Sequence, residues 1–421
     1  MDKFLIHGGK KLSGKVKISG AKNSALALIP AALLNSGKNR LTNIPEVNDI
    51  YTMCKLMQHL GAQIEFTNDV IEVDTSSVNT QTAPYELVKK MRASVYVLGP
   101  LLSRYGRAKV SLPGGCAWGP RPINLHLESM KKMGAEIELV EGYIVAKTEK
   151  LKGAKINFDV STVGATGNVL MAAVLAKGET VISNAAIEPE ITHLANFLVK
   201  MGARIEGIGT KVLNIEGVNE LQAAELSNID DRIEAGTLLL SGAMLRSNIS
   251  IEYNNLEHLT AVISKLEDTG VKLKVNNNLI DIISVPDEPN AIDVSTAVYP
   301  GFPTDLQAQW TAYMTQCSGE ATITDTIYLD RFKHIPELNR LGASIVVKNN
   351  SAIVKGSTRL KGAKVMSTDL RASASLVLAG LAAEGTTEVL RIYHLDRGYQ
   401  RIEEKLRSLG ADIQRIKTEE F

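Results

Sequence analysis

Cysteine, aspartate, lysine and arginine stand in this chain at positions where packing alone gives little reason for them. The run Ser111-Leu112-Pro113-Gly114-Gly115-Cys116-Ala117-Trp118-Gly119-Pro120-Arg121-Pro122 carries three glycines and three prolines. That composition excludes a helix or a central strand and predicts a loop, free to move at Gly114-Gly115 and stiffened at its base by proline. A cysteine in such a loop, five residues from Arg121, fits a thiol of lowered pKa, since a nearby cation favours the reactive thiolate. The alternative is a cysteine that fills space, which is the reading for Cys54 and Cys317 on their apolar helical patterns. Trp118 reads as a lid residue that excludes water or as an interface anchor.

A second group is cationic. Lys22, Arg92, Arg232 and Arg371 each fall at or near the start of a predicted helix. Exposed N–H groups and the helix dipole favour anions at that end, so a cation there is locally unfavourable. Four such placements point to a strongly anionic ligand. For each one taken singly, an ion pair with a nearby carboxylate is the other reading. Asp305 opens a further helix of the same kind, where capping is the alternative to chemistry.

The elements that must position these residues form a repeat. Leu60-Gly61-Ala62, Met133-Gly134-Ala135, Met201-Gly202-Ala203, Thr269-Gly270-Val271, Leu341-Gly342-Ala343 and Leu409-Gly410-Ala411 each join a helix end to a strand, with the glycines 73, 68, 68, 72 and 68 residues apart. A fixed period along a whole chain is the mark of a repeat architecture. A hairpin follows each glycine, as in 62–66 with 70–73, 135–140 with 143–147 and 271–275 with 279–283; the turns carry Asn, Asp and Gly. The sixth unit ends after one strand, and Lys3-Phe4-Leu5-Ile6-His7 reads as its missing partner.

Some 35 to 41 residues before each glycine begins a helix of small and apolar residues, near Ala21, Arg92, Val163, Arg232, Pro303 and Leu370. Segments such as Ser375-Leu376-Val377-Leu378-Ala379-Gly380 have no polar face, so they are covered on every side. A unit is therefore strand, buried helix, strand, outer helix and hairpin. Three units sharing a core give two similar α/β domains, residues 21–229 and residues 1–20 plus 230–421, with six repeats of about 70 residues in all.

Composition narrows the function. A chain of 421 residues exceeds one ordinary core, and 44% hydrophobic with 22% charged residues describes a soluble globular protein. A net charge of +1 argues against a nucleic-acid binder. No terminal signal is visible, and the longest apolar run, 25–34, contains a proline and is too short for a membrane span, so a cytoplasmic location is expected. Three dispersed cysteines agree with a reducing compartment, and seven histidines without paired spacing predict neither a metal nor a cofactor.

The Cys116 loop, Gly20-Ala21-Lys22-Asn23, Phe302-Pro303-Thr304-Asp305, Arg331-Phe332, Thr368-Asp369-Leu370-Arg371-Ala372 and His394-Leu395-Asp396-Arg397-Gly398-Tyr399 together resemble, in the same order from end to end, the UDP-N-acetylglucosamine enolpyruvyl transferase family. The resemblance implies an enolpyruvyl transferase fold, a two-domain inside-out α/β barrel with three repeats per domain and its active site in the interdomain cleft. It implies transfer of the enolpyruvyl group of phosphoenolpyruvate to the 3′-hydroxyl of UDP-N-acetylglucosamine with release of phosphate, the first committed step of peptidoglycan synthesis. By the same resemblance Cys116, Asp305, Lys22 and Arg397 are catalytic, Cys116 as a general acid that can also form a covalent phospholactoyl adduct and is alkylated by fosfomycin. Asp305 accepts or orients the sugar hydroxyl proton. Lys22, Arg121 and Arg397 hold phosphoenolpyruvate, Arg92, Arg331 and Arg371 add positive potential, and Asp369 holds Arg397 or the intermediate. The nucleotide sugar lies against Asn23, Arg121, Pro122, Ile123, Asn124, Leu125, Thr162, Val163, Gly164, Asp305 and Ile327. The implied partners are these two small molecules, with no nucleic acid, no membrane span and the oligomeric state open.

Tyr96, Trp118, Asn124, Val160 and Asp330 depart from the family's usual pattern close to the expected site. Three other readings compete. The shikimate-pathway enzyme of the same fold has no counterpart of the Cys116 loop. A regulatory binding paralogue fits poorly with intact Cys116, Lys22, Asp305 and Arg397, and a thiol hydrolase using Cys116 with His126 lacks an orienting carboxylate.

Overall fold

A computed structural model describes residues 2–89, 91–112 and 123–417. They divide into two compact units, one from Gly20 to Ile229, the other joining the N-terminal stretch up to Ser19 with the chain from Asp230 onward. Each unit contains three four-stranded sheets and the helices they enclose.

One repeat shows the plan. Strand Lys155–Asn157 runs parallel to Glu179–Ser183, and the helix Val163–Ala173 forms the crossover between them. The outer helix Pro189–Lys200 leads to a hairpin, Arg204–Glu206 with Val212–Glu216, whose second strand pairs antiparallel with Glu179–Ser183. Parallel neighbours need such a crossover, whereas antiparallel ones need only a tight turn. The other sheets follow the same order of pairing. In the first repeat the parallel edge strand is Glu225–Ser227, beside Lys38–Thr42, so the end of the third repeat closes the first. In the sixth, Asp2–His7 lies between Thr386–Leu390 and Asp412–Lys417 and completes that sheet.

The central helices are Lys22–Ala31, Leu98–Tyr105, Val163–Ala173, Arg232–Met244, Gln307–Met314 and Leu370–Ala382. In the last, every residue from Arg371 to Leu381 is buried. Small residues let the backbones approach: a Cβ on Gly99 would stand 2.4 Å from the carbonyl oxygen of Asn168. Two central helices open differently from the pattern, with a 3₁₀ stretch at Arg92–Val97 and at Thr304–Leu306. Pro100 explains the first, because it cannot donate back to Tyr96 and suits only the opening turn of an α-helix.

The repeated glycine has a conformational cause. Gly61, Gly134, Gly202, Gly270, Gly342 and Gly410 all have φ between +92° and +105°. Each follows a helix, and the next amide reaches back to close it: Ala203 N–H donates to Leu198 O at 2.9 Å and Ala343 N–H to Leu338 O at 3.1 Å. This is the Schellman ending, which needs a left-handed residue and so selects glycine. The hairpin turns also use left-handed residues, among them Asn68-Asp69, Glu141-Gly142 and Asn277.

A Cβ on Gly202 would meet nothing within 4 Å, so its replacement tests backbone strain alone. We expect Gly202→Ala to cost about 1–2 kcal/mol and Gly202→Asn less, read as the midpoint of thermal or urea unfolding. Equal stability of Gly202→Ala and the unaltered chain would contradict this account.

Candidate active site

In the unit that begins at Asp230, the polar residues gather where the central helices begin. Asp305, in the 3₁₀ stretch Thr304–Leu306, does not cap its helix. Its carboxylate instead receives two guanidinium groups, Arg331 Nη1 on Oδ1 at 2.8 Å and Arg371 Nη2 on Oδ2 at 2.7 Å. Both arginines are buried, while a quarter of the Asp305 side chain stays exposed and within reach of a ligand. Burial opposes the charge on Asp305, but Arg371 and Arg331 outweigh it and hold the carboxyl well below the usual carboxylate range. Burial likewise opposes the charge on Arg371, and Asp305 more than compensates, with Tyr399 and Asp231 adding to it.

Local geometry fixes each partner. Arg371 occupies the first turn of Leu370–Ala382, which Asp369 caps by accepting from Arg371 N at 2.9 Å and Ala372 N at 3.1 Å. The Arg371 guanidinium lies 5.5 Å from the centre of the Tyr399 ring, and the Tyr399 hydroxyl is bound by Thr237 at 2.9 Å and Gln309 Nε2 at 3.0 Å. Arg331 stacks over Tyr328 at 5.3 Å and adjoins buried His334. Burial, and then the charge of Arg331, push His334 down to about 3. Arg397 ends the 3₁₀ stretch Ile392–Arg397 and is half-buried, and Ile327 is exposed. Arg232 starts its helix behind the Asp231 cap, with its guanidinium 5.8 Å from the centre of the Tyr299 ring.

The unit from Gly20 to Ile229 has a parallel arrangement. Lys22 is the first residue of Lys22–Ala31, and its Nζ lies 2.8 Å from Asp49 Oδ2, both side chains being buried. Asn23 beside it is exposed. Arg92 heads the 3₁₀ stretch Arg92–Val97 and is half-buried. Ile123 precedes the helix Asn124–Lys132, which carries Asn124 and Leu125 in its first turn and His126 behind them. Thr162 caps Val163–Ala173 through Ala165 N at 3.4 Å.

Asn168 ties these elements together. Its Oδ1 accepts from Gly99 N at 2.7 Å, and its Nδ2 donates to Val95 O at 2.8 Å and meets His126 Nδ1 at 3.0 Å. Since Nδ1 must then accept, the neutral ring carries its proton on Nε2, which faces Gly164: a Cβ there would stand 3.1 Å from it. Burial, and then the charge of Arg92, push His126 down to about 4, so it is neutral at pH 7. Tyr96, next to Val95, places its hydroxyl 3.4 Å from Val163 O.

Of the residues singled out from sequence, Asp305, Arg331 and Arg371 form one direct cluster, and Asp369 shapes it by capping. Lys22 and Arg371 both have the carboxylate partners that were the alternative to a ligand. Cys116, Trp118, Arg121 and Pro122 lie outside the described residues. Asn124 and Val160 are exposed, as is Asp330. Cys54 and Cys317 are free and buried, their thiols pushed up to about 12 by burial, which makes them inert filler. Sequence reasoning passed over Asp49, Asn168 and Asp325, and quoted Thr304 only within the run Phe302-Pro303-Thr304-Asp305 without giving it a role. Only Asp325-Thr326-Ile327, an acidic residue directly after a strand, carries a readable turn signal.

Among the described residues no three His, Cys, Asp or Glu side chains gather as a metal site, and no helix is long and apolar enough to cross a membrane.

Comparison with known proteins adds three findings. Residues 6–406 match the family model described as EPSP synthase (3-phosphoshikimate 1-carboxyvinyltransferase). Proteins named UDP-N-acetylglucosamine 1-carboxyvinyltransferase are similar throughout. That of Chloroherpeton thalassium is 57% identical over all of this chain and 99% of its own length, and that of Chlorobium limicola 57% identical over the whole of both. Among solved structures, the enolpyruvyl transferase NikO from Streptomyces tendae aligns with a TM-score of 0.89 at 25% identity, over 99% of each chain. An EPSP synthase from Acinetobacter baumannii aligns with a TM-score of 0.76 at 16% identity over 99% of this chain and 100% of its own, a likeness of fold alone.

His334 offers a test of the electrostatics. Its folded pKa is about 3 against an ordinary 6.5, so below pH 6.5 the unfolded chain takes up a proton that the folded chain refuses. The stability this neutral ring permits is complete above pH 6.5 and is lost as pH falls toward 3. We expect the unfolding free energy to fall less steeply with acidification in His334→Phe, by up to about 1.4 kcal/mol per pH unit. Parallel slopes for the two proteins would refute a neutral buried His334.

Proposed function

We infer the division of labour among these residues from one premise: the chain belongs to the EPSP synthase family of carboxyvinyl transferases. Within that family it is a transferase that moves the enolpyruvyl group of phosphoenolpyruvate to UDP-N-acetylglucosamine, the first step of peptidoglycan synthesis. The full-length likeness to the Chloroherpeton and Chlorobium proteins carries the choice of nucleotide sugar over a shikimate phosphate, and the Cys116 run agrees with it.

The reaction adds an alcohol across a double bond and then eliminates phosphate. The 3′-oxygen bonds to the central carbon of phosphoenolpyruvate while the terminal carbon gains a proton. The terminal carbon then returns a proton as the carbon–phosphate oxygen bond breaks. We assign Cys116 as the acid toward the terminal carbon, with Lys22, Arg121 and Arg397 binding the carboxylate and phosphate. We assign Asp305 to the sugar hydroxyl. Clamped by Arg331 and Arg371, its carboxylate is held in one orientation, from which it accepts or orients the hydroxyl proton as the oxygen bonds to carbon.

We assign Asn23, Arg92, Arg121, Pro122, Ile123, Asn124, Leu125, Thr162, Val163, Gly164 and Ile327 to the nucleotide sugar. The positive end of Val163–Ala173 supports this, since its free amides suit a diphosphate. Arg371 and Arg331 supply positive potential, and Asp369 keeps the Arg371 turn in place. The free thiols of Cys54 and Cys317 support a cytoplasmic location.

Phosphate release is the direct test. We expect release from phosphoenolpyruvate only when UDP-N-acetylglucosamine is present, none when shikimate 3-phosphate replaces it, and a fall of about 100-fold or more in Cys116→Ala. Fosfomycin should label the unaltered chain at Cys116 and leave Cys116→Ala unlabelled, read by peptide mass. Absence of release by the unaltered chain, with nucleotide-sugar binding retained, would point instead to a regulatory binding protein.

A further inference from the structure

A buried carboxylate outside the cluster just described holds the cluster in place. Asp325 follows strand Glu320–Thr324 and is fully buried. Its Oδ1 accepts from Thr296 Oγ1 at 2.8 Å, Ile327 N at 2.9 Å and Tyr328 N at 2.9 Å, and its Oδ2 accepts from Thr304 Oγ1 at 2.7 Å. In that last bond the Thr304 hydroxyl donates its only hydrogen to Asp325. That leaves the Thr304 lone pairs to accept from Arg331 Nη1, which lies 3.0 Å away and also donates to Asp305 at 2.8 Å. The hydrogen bonds therefore run in one direction, from Arg331 through Thr304 to Asp325. A second brace fixes the turn: Thr326 N donates to Thr296 Oγ1 at 3.1 Å, and Thr326 Oγ1 donates to Thr296 O.

We propose that Asp325 is a positioning residue for the sugar-hydroxyl subsite: through Thr304 it orients Arg331 against Asp305, and through its own turn it places Ile327. The proposal rests on the reading of Asp305 given above. Hydrogen bonds to a charged group are the stronger kind, and a chain whose donors all point one way polarises each member. Two residues of the subsite, one at the hydroxyl and one along the rest of the nucleotide sugar, are thus set by one fully buried carboxylate.

Asp325→Asn keeps the shape but can place an N–H where Oδ2 stood. Thr304 must then accept from it and turn its own hydrogen away, toward Arg331, which weakens the Arg331–Thr304 bond. Thr304→Val removes the relay without touching Asp325, and Thr304→Ser restores it. The groups facing Asp305 are Arg331 and Arg371, with Tyr399 and Asp231 acting on Arg371 and neutral His334 beside Arg331. Loosening Arg331 removes part of what holds Asp305 ionised, so the acid limb of the pH profile moves to higher pH.

The test measures kcat and KM for UDP-N-acetylglucosamine against pH in the unaltered chain, Asp325→Asn, Thr304→Val, Thr304→Ser, Asp325→Asn/Thr304→Val and Asp305→Asn, with folding checked by circular dichroism. We expect Asp325→Asn and Thr304→Val each to lower kcat/KM about tenfold, each to shift the acid limb upward, and the double variant to lose no more than the worse single one. Thr304→Ser should sit near the unaltered chain. Losses that multiply in the double variant, or an unmoved acid limb in folded variants, would overturn the proposal. Full activity of Asp305→Asn would instead refute the reading of Asp305, which separates the two failures.

Discussion

Between their ends the central helices are buried, and that constraint decides where chemistry can go. A helix such as Leu370–Ala382, covered from Arg371 to Leu381, has no flank on which to display a polar side chain. Only its ends reach a surface, and its C-terminal end is taken up by the turn into the next strand. The N-terminal ends remain, and Lys22, Arg92, Asp305 and Arg371 stand on or near them. The same ends present free amide groups and the positive pole of the dipole, so the fold offers anion-binding positions before any charged side chain is added.

Cations at those ends work against the dipole, and the structure shows how the conflict is resolved. Lys22 is matched by Asp49, and Arg371 by Asp305. Removing one member of such a buried pair would strand the other charge, so each pair is a commitment of both residues. The pairs also keep their cations oriented in the absence of a ligand. Asp305 differs from Asp49 in being a quarter exposed, so part of its side chain stays open after both arginines have bound.

The repeat was legible in the sequence because its cause is local. A Schellman ending needs glycine at one position, and the apolar character of the central helices is written in consecutive residues, as at Ser375 to Gly380. The pairing of Asp2–His7 with Asp412–Lys417 was legible by subtraction, from a sixth hairpin with one strand missing. What escaped was non-local. Asp49 is 27 residues from Lys22, and Asp325 is 21 from Thr304; nothing in their own neighbourhoods announces the partner. The 3₁₀ openings at Arg92–Val97 and Thr304–Leu306 also escaped, although Pro100 marks the first of them.

The titratable groups described around these helix starts share a property that bears on the reaction. Asp305 is held ionised by its two arginines, and Arg371 is held charged by Asp305. His126 and His334 are held neutral by burial. Efficient general acid or base catalysis asks for a group whose pKa lies near the working pH. Each of the four is moved away from neutrality in the direction that fixes its resting charge. Addition and elimination nevertheless require one proton to reach the terminal carbon and one to leave it. None of the four has a resting pKa suited to that traffic at the carbon. The sequence offers Cys116 for it, a thiol whose ordinary pKa lies far closer to neutrality than those of the pinned groups and which has Arg121 five residues along the chain.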